Sequence, residues 1–337
     1  MGSGNGGEDQ LNEDLAMWKT TVVIPNYNGM NYIDQCLKSL KKSSVALKII
    51  LVDNGSTDKS DVFVRENYPD VQIISFTENT GFSKAVNAGI MAADTEYVLL
   101  LNNDTVVDEK MAEYLEKAMD AHENCFSAAS RMLSLSSPDK LDGAGDLYCA
   151  LGWGFARGKD KPKDRYGKPG RIFSACAGAA IYRRSLFRQV GYFDENHFAY
   201  LEDIDIGYRA NICGYPNQYI PEAVVYHAGS AVSGSRHNEF KVRLSAANSV
   251  YLIYKNMPFL QVVLNLPFLL AGYLVKSLFF LKKGMGKAYF GGLCRGIRLS
   301  CSGEGRRHKV RFHMKNLPHY LWIQGQLWIN VLRRFAG

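Results

Sequence analysis

The sequence predicts an α/β chain with a mostly parallel central sheet flanked by helices, followed by a basic, helical C-terminal region. Three observations carry that prediction. Short, apolar, β-branched runs recur between helix-like segments from Thr20 onward, the pattern of parallel strands covered on both faces. The composition, 47% apolar and 22% charged over 337 residues, supports one large domain with an appendage and excludes a chain that is disordered throughout. Charge is divided by position: from Pro258 onward there are 13 Lys and Arg against the single acid Glu304, whereas everything before it is net negative.

In chain order, residues 1–16 (MGSGNGGEDQLNEDLA) are polar and Gly-rich and read as a disordered tail or an expression remnant. A first strand, TTVVIP, leads to a helix over 31–42, a second strand KIILVD to a helix over 59–67, and a third strand VQIISF to a helix over 82–93. The fourth strand ends EYVLLLNND. In such sheets the ligand lies beyond the carboxyl ends of the strands, so the residues just after each strand matter first. The seven cysteines, Cys36, Cys125, Cys149, Cys176, Cys213, Cys294 and Cys301, are odd in number and never form C-x-x-C. That argues against a disulfide framework or a zinc knuckle and fits a reducing compartment. No basic segment followed by an apolar one opens the chain, so no secretory signal is expected.

The four strand ends read Pro25-Asn26-Tyr27-Asn28, Asp53-Asn54-Gly55-Ser56-Thr57-Asp58, Glu78-Asn79-Thr80-Gly81-Phe82 and Asn102-Asn103-Asp104. Any one of them reads equally as turn and helix-cap chemistry. Together they rim one sheet edge with carboxylates and amides, a polar pocket for a nucleotide. No G-x-G-x-x-G follows the first strand and no G-x-x-x-x-G-K-[ST] exists, which disfavours a NAD site and excludes a P-loop.

The ordered set TVVIPNYN, ILVDNGSTD, ENTGFSKAVNAGI, LLLNNDT, AGAAIYRRSLFRQVGYFDE, FAYLEDIDIGYRA and VVYHAGS resembles the inverting GT-A glycosyltransferases of family 2, especially their rhamnosyltransferase-like branch, over residues 20–254. The resemblance implies a GT-A nucleotide-sugar-binding fold. It implies that Asp53 accepts the N3–H of a uracil or thymine ring, and that Pro25, Tyr27 and Asn28 with Asn79, Gly81 and Phe82 cradle base and ribose. Gly81 would permit close backbone approach, and Asn87 would brace that turn, the alternative being a helix-surface amide. The family's D-x-D reads Asn102-Asn103-Asp104 here, so one carboxylate, Asp104, would hold Mg²⁺ or Mn²⁺ with Asn103 beside the donor. His227 matches the second metal ligand and leans the choice toward Mn²⁺; the alternative is a satisfied interior imidazole. Gly178 and Ala179 lie in the small-residue turn that lets the donor sugar approach the backbone.

By the same resemblance Asp203 is the catalytic base and Glu202 orients the acceptor, although carboxylates at a helix N-terminus are also favoured by its dipole. Asp205, two residues on, cannot share the helix face of Asp203 and reads as a cap or an ion-pair partner of Arg209. The stretch over 142–177 is Gly-rich, aromatic and basic, a lid or acceptor platform in which Trp153 and Phe155 either stack on a sugar or pack plainly.

Domain limits are expected at 17–254 for the catalytic domain and 255–337 for a basic amphipathic helical region. Within the latter, PFLQVVLNLPFLLAGYLVKSLFFL (258–281) is long enough for a span but interrupted by Pro258, Gln261, Asn265, Pro267 and Lys276. It predicts a helix or broken helix pair in a membrane interface, with Lys282, Lys283, Lys287, Arg295 and Arg298 meeting anionic headgroups. Packing on the catalytic domain, or on a second subunit in a homodimer, is the alternative. The final segment, with Trp322, Leu327, Trp328, Ile329 and Leu332 near Arg333 and Arg334, suits an interfacial helix too.

The expected activity is metal-dependent inverting transfer of a sugar, first L-rhamnose, from a dTDP- or UDP-sugar to a polyprenyl-diphosphate-linked saccharide at the cytoplasmic membrane face. A sugar-1-phosphate nucleotidylyltransferase is the rival enzyme, but its Gly-rich, Arg- and Lys-bearing loop is absent after the first strand. A nucleotide-sugar or membrane-glycan binding protein without turnover is the other rival, opposed by retention of Asp203, Asp104 and His227. Nucleic acid is disfavoured because the basic residues are interleaved with long aliphatic runs.

Overall fold

Four apolar runs become neighbouring parallel strands, in the order β3-β2-β1-β4, in the computed structural model, which describes residues 18–229 and 238–335. The tail expected over 1–16 lies outside the described residues. The strands are β1 (Thr20–Asn26), β2 (Leu47–Asn54), β3 (Gln72–Phe76) and β4 (Tyr97–Leu101), joined by α1 (Ile33–Leu40), α2 (Ser60–Asn67) and α3 (Phe82–Ala92). Side chains alternate across a strand, so β1 sends Val22 and Ile24 to the face covered by Ile33 and Leu37, and Val23 to the face covered by Val86 and Ile90. Burial on both faces is why β1, β2 and β4 read as apolar runs, whereas β3, at the sheet edge, is half-buried and carries Gln72 and Ser75.

Beyond β4 come β5 (Thr105–Val107), α4 (Met111–Asp120), β6 (Ser127–Ser134), β7 (Leu141–Gly143), β8 (Asp146–Cys149), β9 (Trp153–Ala156) and β10 (Gly170–Ile172). Then follow β11 (Ala179–Arg183), α5 (Phe187–Val190), α6 (Glu202–Ile212) and β12 (Asn217–His227). The full sheet is mixed, in the order β10-β12-β6-β11-β4-β1-β2-β3, with β5 on β12 and β7 on β6. Its parallel part is the expected one. The antiparallel insertion arises because β11 starts opposite Leu101, where β4 leaves the sheet, and runs back along it. The stretch over 142–177 is not a long structureless loop: β8 and β9 pair as a separate antiparallel hairpin, and β10 joins the sheet edge.

Five C-terminal helices complete the chain: α7 (Glu239–Asn256), α8 (Phe259–Lys282), α9 (Gly286–Cys301), α10 (Gly303–Arg307) and α11 (Leu317–Phe335). A limit at 254/255 falls inside α7, because Lys255 is buried and its Nζ lies 2.7 Å from Asp194 and 2.8 Å from Asp205. α8 is one continuous helix through Pro267 rather than a broken pair. Its polar interruptions face protein: Asn265 exchanges two 2.9 Å hydrogen bonds with Gln324 and accepts one from Trp328 Nε1 at 3.0 Å, while Gln261 accepts from Tyr208. α9 lies close on α7 because Gly292 and Gly296 face the carbonyl oxygens of Arg243 and Ala247, where a Cβ would stand at 2.4 Å.

Candidate active site

The ends of two strands, β4 and β12, meet at one edge of the sheet. Pairing of β12 with β5 sets His227 opposite Thr105, which brings its Nε2 to 3.2 Å from Asp104 Oδ1. The other ring nitrogen lies 2.8 Å from Asp142 Oδ2, and the Asn102 amide is 3.5 Å from Nε2. Burial pulls the His227 pKa down, but hydrogen bonds with Asp104 and Asp142 outweigh it and raise it to about 9. Burial pushes Asp142 up, and His227 and the Lys159 ammonium overcome that to hold it below the usual carboxylate range. A carboxylate oxygen and an imidazole nitrogen this close could both serve as ligands of one divalent ion. A carboxylate on the far ring nitrogen is the usual support for such a ligand. These residues therefore fit a divalent cation. Asp142 was not foreseen, since DGAGD carries no signal until β7 is laid against β6.

The Asp203 side is built on a strained turn. Phe198, Tyr200 and Leu201 all have positive φ, at 59°, 73° and 67°, conformations that persist only when surroundings enforce them. Asn248 of α7 does so, its Nδ2 lying 2.8, 2.9 and 2.8 Å from the carbonyl oxygens of His197, Ala199 and Tyr200. Asp203 thus enters the first turn of α6 with Oδ1 accepting from Ile204 N at 2.7 Å. Asp146 of β8 hydrogen-bonds Asp203, and these two carboxylates and the Cys176 thiol lie within 4.8 Å of one another. Burial raises both carboxyls above the usual range, and at Asp146 the charge of Asp203 adds to it. Burial and then Asp203 push Glu202 up to about 8, and its Oε2 has no partner among the described residues. Asp205 points the other way, as its spacing predicts: Arg209 Nη2 lies 2.9 Å away, with Lys255 and Asn256 beside it.

The other expected residues divide into those at the edge and those turned inward. Asp53 is buried, accepting from Asn26 Nδ2 at 3.1 Å and Ser56 N at 3.2 Å. Pro25 is the penultimate residue of β1, one register position from Asp53, Tyr27 is 38% exposed, and Asn28, at φ 51°, accepts from Thr57 N at 2.8 Å. Asn79 Oδ1 accepts from Gly81 N at 3.0 Å and from Asn54 at 3.1 Å, which shapes the turn into Phe82. The close approach at Gly81 is made by the chain itself, a Cβ there meeting Phe198 at 2.7 Å. Asn103 donates to Asn26 Oδ1 at 2.8 Å, Gly178 accepts from Asn102 N at 2.9 Å, and Ala179 is buried against Leu101. Two residues are not at the edge. Asn87 spends its amide on both backbone groups of Phe193, at 2.8 and 3.0 Å, because α3 buries that position. Trp153 turns from the cleft, its Nε1 donating to Gly272 of α8 at 3.3 Å, because the hairpin tip is covered by that helix.

The mixed sheet with carboxylates at the β4 edge defines the class, a GT-A glycosyltransferase. Residues 21–191, just over half of the chain, match the Glycosyl transferase family 2 model, and the chain belongs to that family. It is 27% identical over 232 residues to the N-acetylglucosaminyl-diphospho-decaprenol L-rhamnosyltransferase of Mycobacterium tuberculosis, covering 61% of this chain and 75% of that one. GalNAc-T7, solved with UDP, GalNAc and Mn²⁺, shares the fold with TM-score 0.56 and 16% identity over 70% of this chain and 47% of that one. S. aureus TarS 1–349 in complex with UDP-GlcNAc does so with TM-score 0.52 and 16% identity, covering 94% and 85%.

Proposed function

We propose that the chain is a metal-dependent, inverting glycosyltransferase that moves a sugar, first L-rhamnose, from a dTDP- or UDP-sugar to a hydroxyl of a polyprenyl-diphosphate-linked saccharide. One observation carries this reading: the short segment from Asp142 to Asp146 hydrogen-bonds His227 at one end and Asp203 at the other. It couples a cation-binding pair to a base across a single cleft. The acceptor class is supported by the mycobacterial relative, named for N-acetylglucosaminyl-diphospho-decaprenol. The donor class is supported by the UDP and UDP-GlcNAc held by the structural relatives.

In this reading Asp104 and His227 would hold Mg²⁺ or Mn²⁺, which would supply positive charge to stabilise the leaving diphosphate. Asp53 accepts from the pyrimidine N3–H, and Pro25, Tyr27, Asn28, Asn79 and Phe82 surround base and ribose. Asn103, Gly178 and Ala179 face the donor sugar. Asp203 takes the acceptor hydroxyl proton as that oxygen bonds to the anomeric carbon. The bond from that carbon to the diphosphate oxygen breaks on the opposite face, and its electron pair leaves with the nucleoside diphosphate. Glu202 orients the acceptor, and the catalytic unit runs on through Asn256.

The protein works on the cytoplasmic face with α8 lying in the bilayer interface. The support is its two-sidedness: Gln261 and Asn265 are buried on protein, whereas Phe259, Leu270 and Leu274 are 84%, 63% and 60% exposed. It is the one helix long and apolar enough to cross a membrane among the described residues. Crossing, however, would strip those amides of their partners.

Turnover of dTDP- and UDP-sugars with Mn²⁺ and a polyprenyl-diphosphate-GlcNAc acceptor tests the enzyme. Asp203→Asn should lower kcat by about 10²- to 10⁴-fold while nucleotide affinity holds, and EDTA should stop the reaction. Nucleotide binding without turnover of any donor would overturn the reading in favour of a binding protein.

A further inference from the structure

Beside Asp146 the site opens into a cavity of about 970 Å³, large for a small-molecule site. Asp146, Cys176 and Ala179 line its inner end, whereas six cations line its walls: Arg157, Lys159, Lys161, Arg165, Arg333 and Arg334. Three acids line it too, Asp142, Asp146 and Asp160, but Asp142 is engaged by His227 and Lys159. Among the described residues no carboxylate pairs with Arg157, Lys161, Arg165, Arg333 or Arg334; the arginine ion pairs are those of Arg183, Arg209 and Arg307. Arg157 is held between the rings of Tyr166 and Tyr219, at 4.7 and 4.8 Å, with Nε donating to Ala144 O at 2.8 Å. Its Nη2 is buried with no acceptor, an arrangement that a bound oxyanion completes.

The cavity is also tied to the apolar helix. Strands β8 and β9 line it, and the tip of the same hairpin lies on α8, where Gly272 sits against the Leu151 carbonyl. α11, which carries Arg333 and Arg334, is fixed to that hairpin by Ala150 N on Leu327 O at 2.9 Å and Asn330 Nδ2 on Tyr148 O at 3.0 Å. A ligand with its hydroxyl at Asp203, two phosphates among the arginines and an apolar chain along α8 would meet matching chemistry at each point.

We propose that this cavity is the subsite for the diphosphate of the lipid-linked acceptor, with Arg157, Lys161 and Arg165 on one wall and Arg333 and Arg334 of α11 on the other. The inference rests on reading the chain as a transferase to a lipid diphosphate. It gives the end of the basic C-terminal region a specific ligand rather than general attraction to a surface.

Calorimetric titration of the full chain with farnesyl diphosphate in EDTA tests the subsite without the donor's cation. Arg333→Ala with Arg334→Ala should weaken binding at least about tenfold, with dTDP affinity in Mn²⁺ kept as the control for folding. Lys161→Ala with Arg165→Ala, on a loop away from α11, should lose as much and remains informative if the first pair fails to fold. Unchanged farnesyl diphosphate affinity in both variants, or no binding by the natural sequence, overturns the subsite. Displacement of the probe by an equal concentration of phosphatidylglycerol micelles assigns the cavity to lipid phosphates in general and overturns the diphosphate reading. Diphosphate binding without sugar transfer would sink the enzymatic reading alone; transfer with an unchanged acceptor KM in both variants would sink the subsite alone.

Discussion

At Asp203 the neighbours decide where the carboxylate points and when it can accept a proton. Burial raises its pKa, and the hydrogen bond with Asp146 acts in the opposite direction. A base must be ionised to act, so kcat/KM should fall toward acid with a limb above the ordinary aspartate value. Asp146→Ala removes this partner and should move that limb to higher pH, whereas Asp146→Asn supplies an N–H there and should leave it near its original position. A pH–rate profile of both variants checks this; coincident limbs for the Ala variant and the natural sequence would refute the pairing. Asp203 was legible from its motif, and Asp146 was not, because their partnership is made by β8 crossing in front of α6. Asn87 is similar: its helix is legible in the sequence, but the Phe193 backbone that takes its amide is not.

At the scale of elements, α6 and α7 are fastened by charges withdrawn from water. Lys255 bridges Asp194 and Asp205, and Arg209 shares Asp205. Lys255→Met should cost about 3–5 kcal/mol, since it leaves buried carboxylates unpaired. Lys38→Ala, which breaks the exposed pair with Asp34, should leave the unfolding midpoint nearly unchanged, because water and salt screen such a pair. Urea unfolding of the two variants measures the contrast, and similar midpoints would show that the buried network does not hold the helices together. This network also ties α7, beyond the last motif, to α6: Asn248 and Lys255 lie on α7, and one holds the turn before Asp203 while the other neutralises the far side of the same helix.

For the whole molecule, the uneven charge and the apolar outer face of α8 belong together. About 36 Å of helix, from 24 residues at 1.5 Å each, lies along the protein with its polar residues inward. Leu270→Glu with Leu274→Glu alters only exposed positions and should abolish flotation with phosphatidylglycerol liposomes while leaving thermal stability within about 2 °C. Flotation that survives the change but disappears in high salt would assign attachment to the basic residues instead.

The sequence by itself determined the parallel half of the sheet, the polar strand ends and the candidate base. Those depend on local period and on motifs contained within single segments, and local preferences survive folding when both faces of a strand are buried. Only the tertiary structure decided that the 142–177 stretch becomes strands, that Asp142 and Asp146 stand behind His227 and Asp203, and that Trp153 serves α8 rather than the cleft. Each of these is a contact between residues far apart in the chain, whose partner is set by strand order and helix packing rather than by spacing along the sequence.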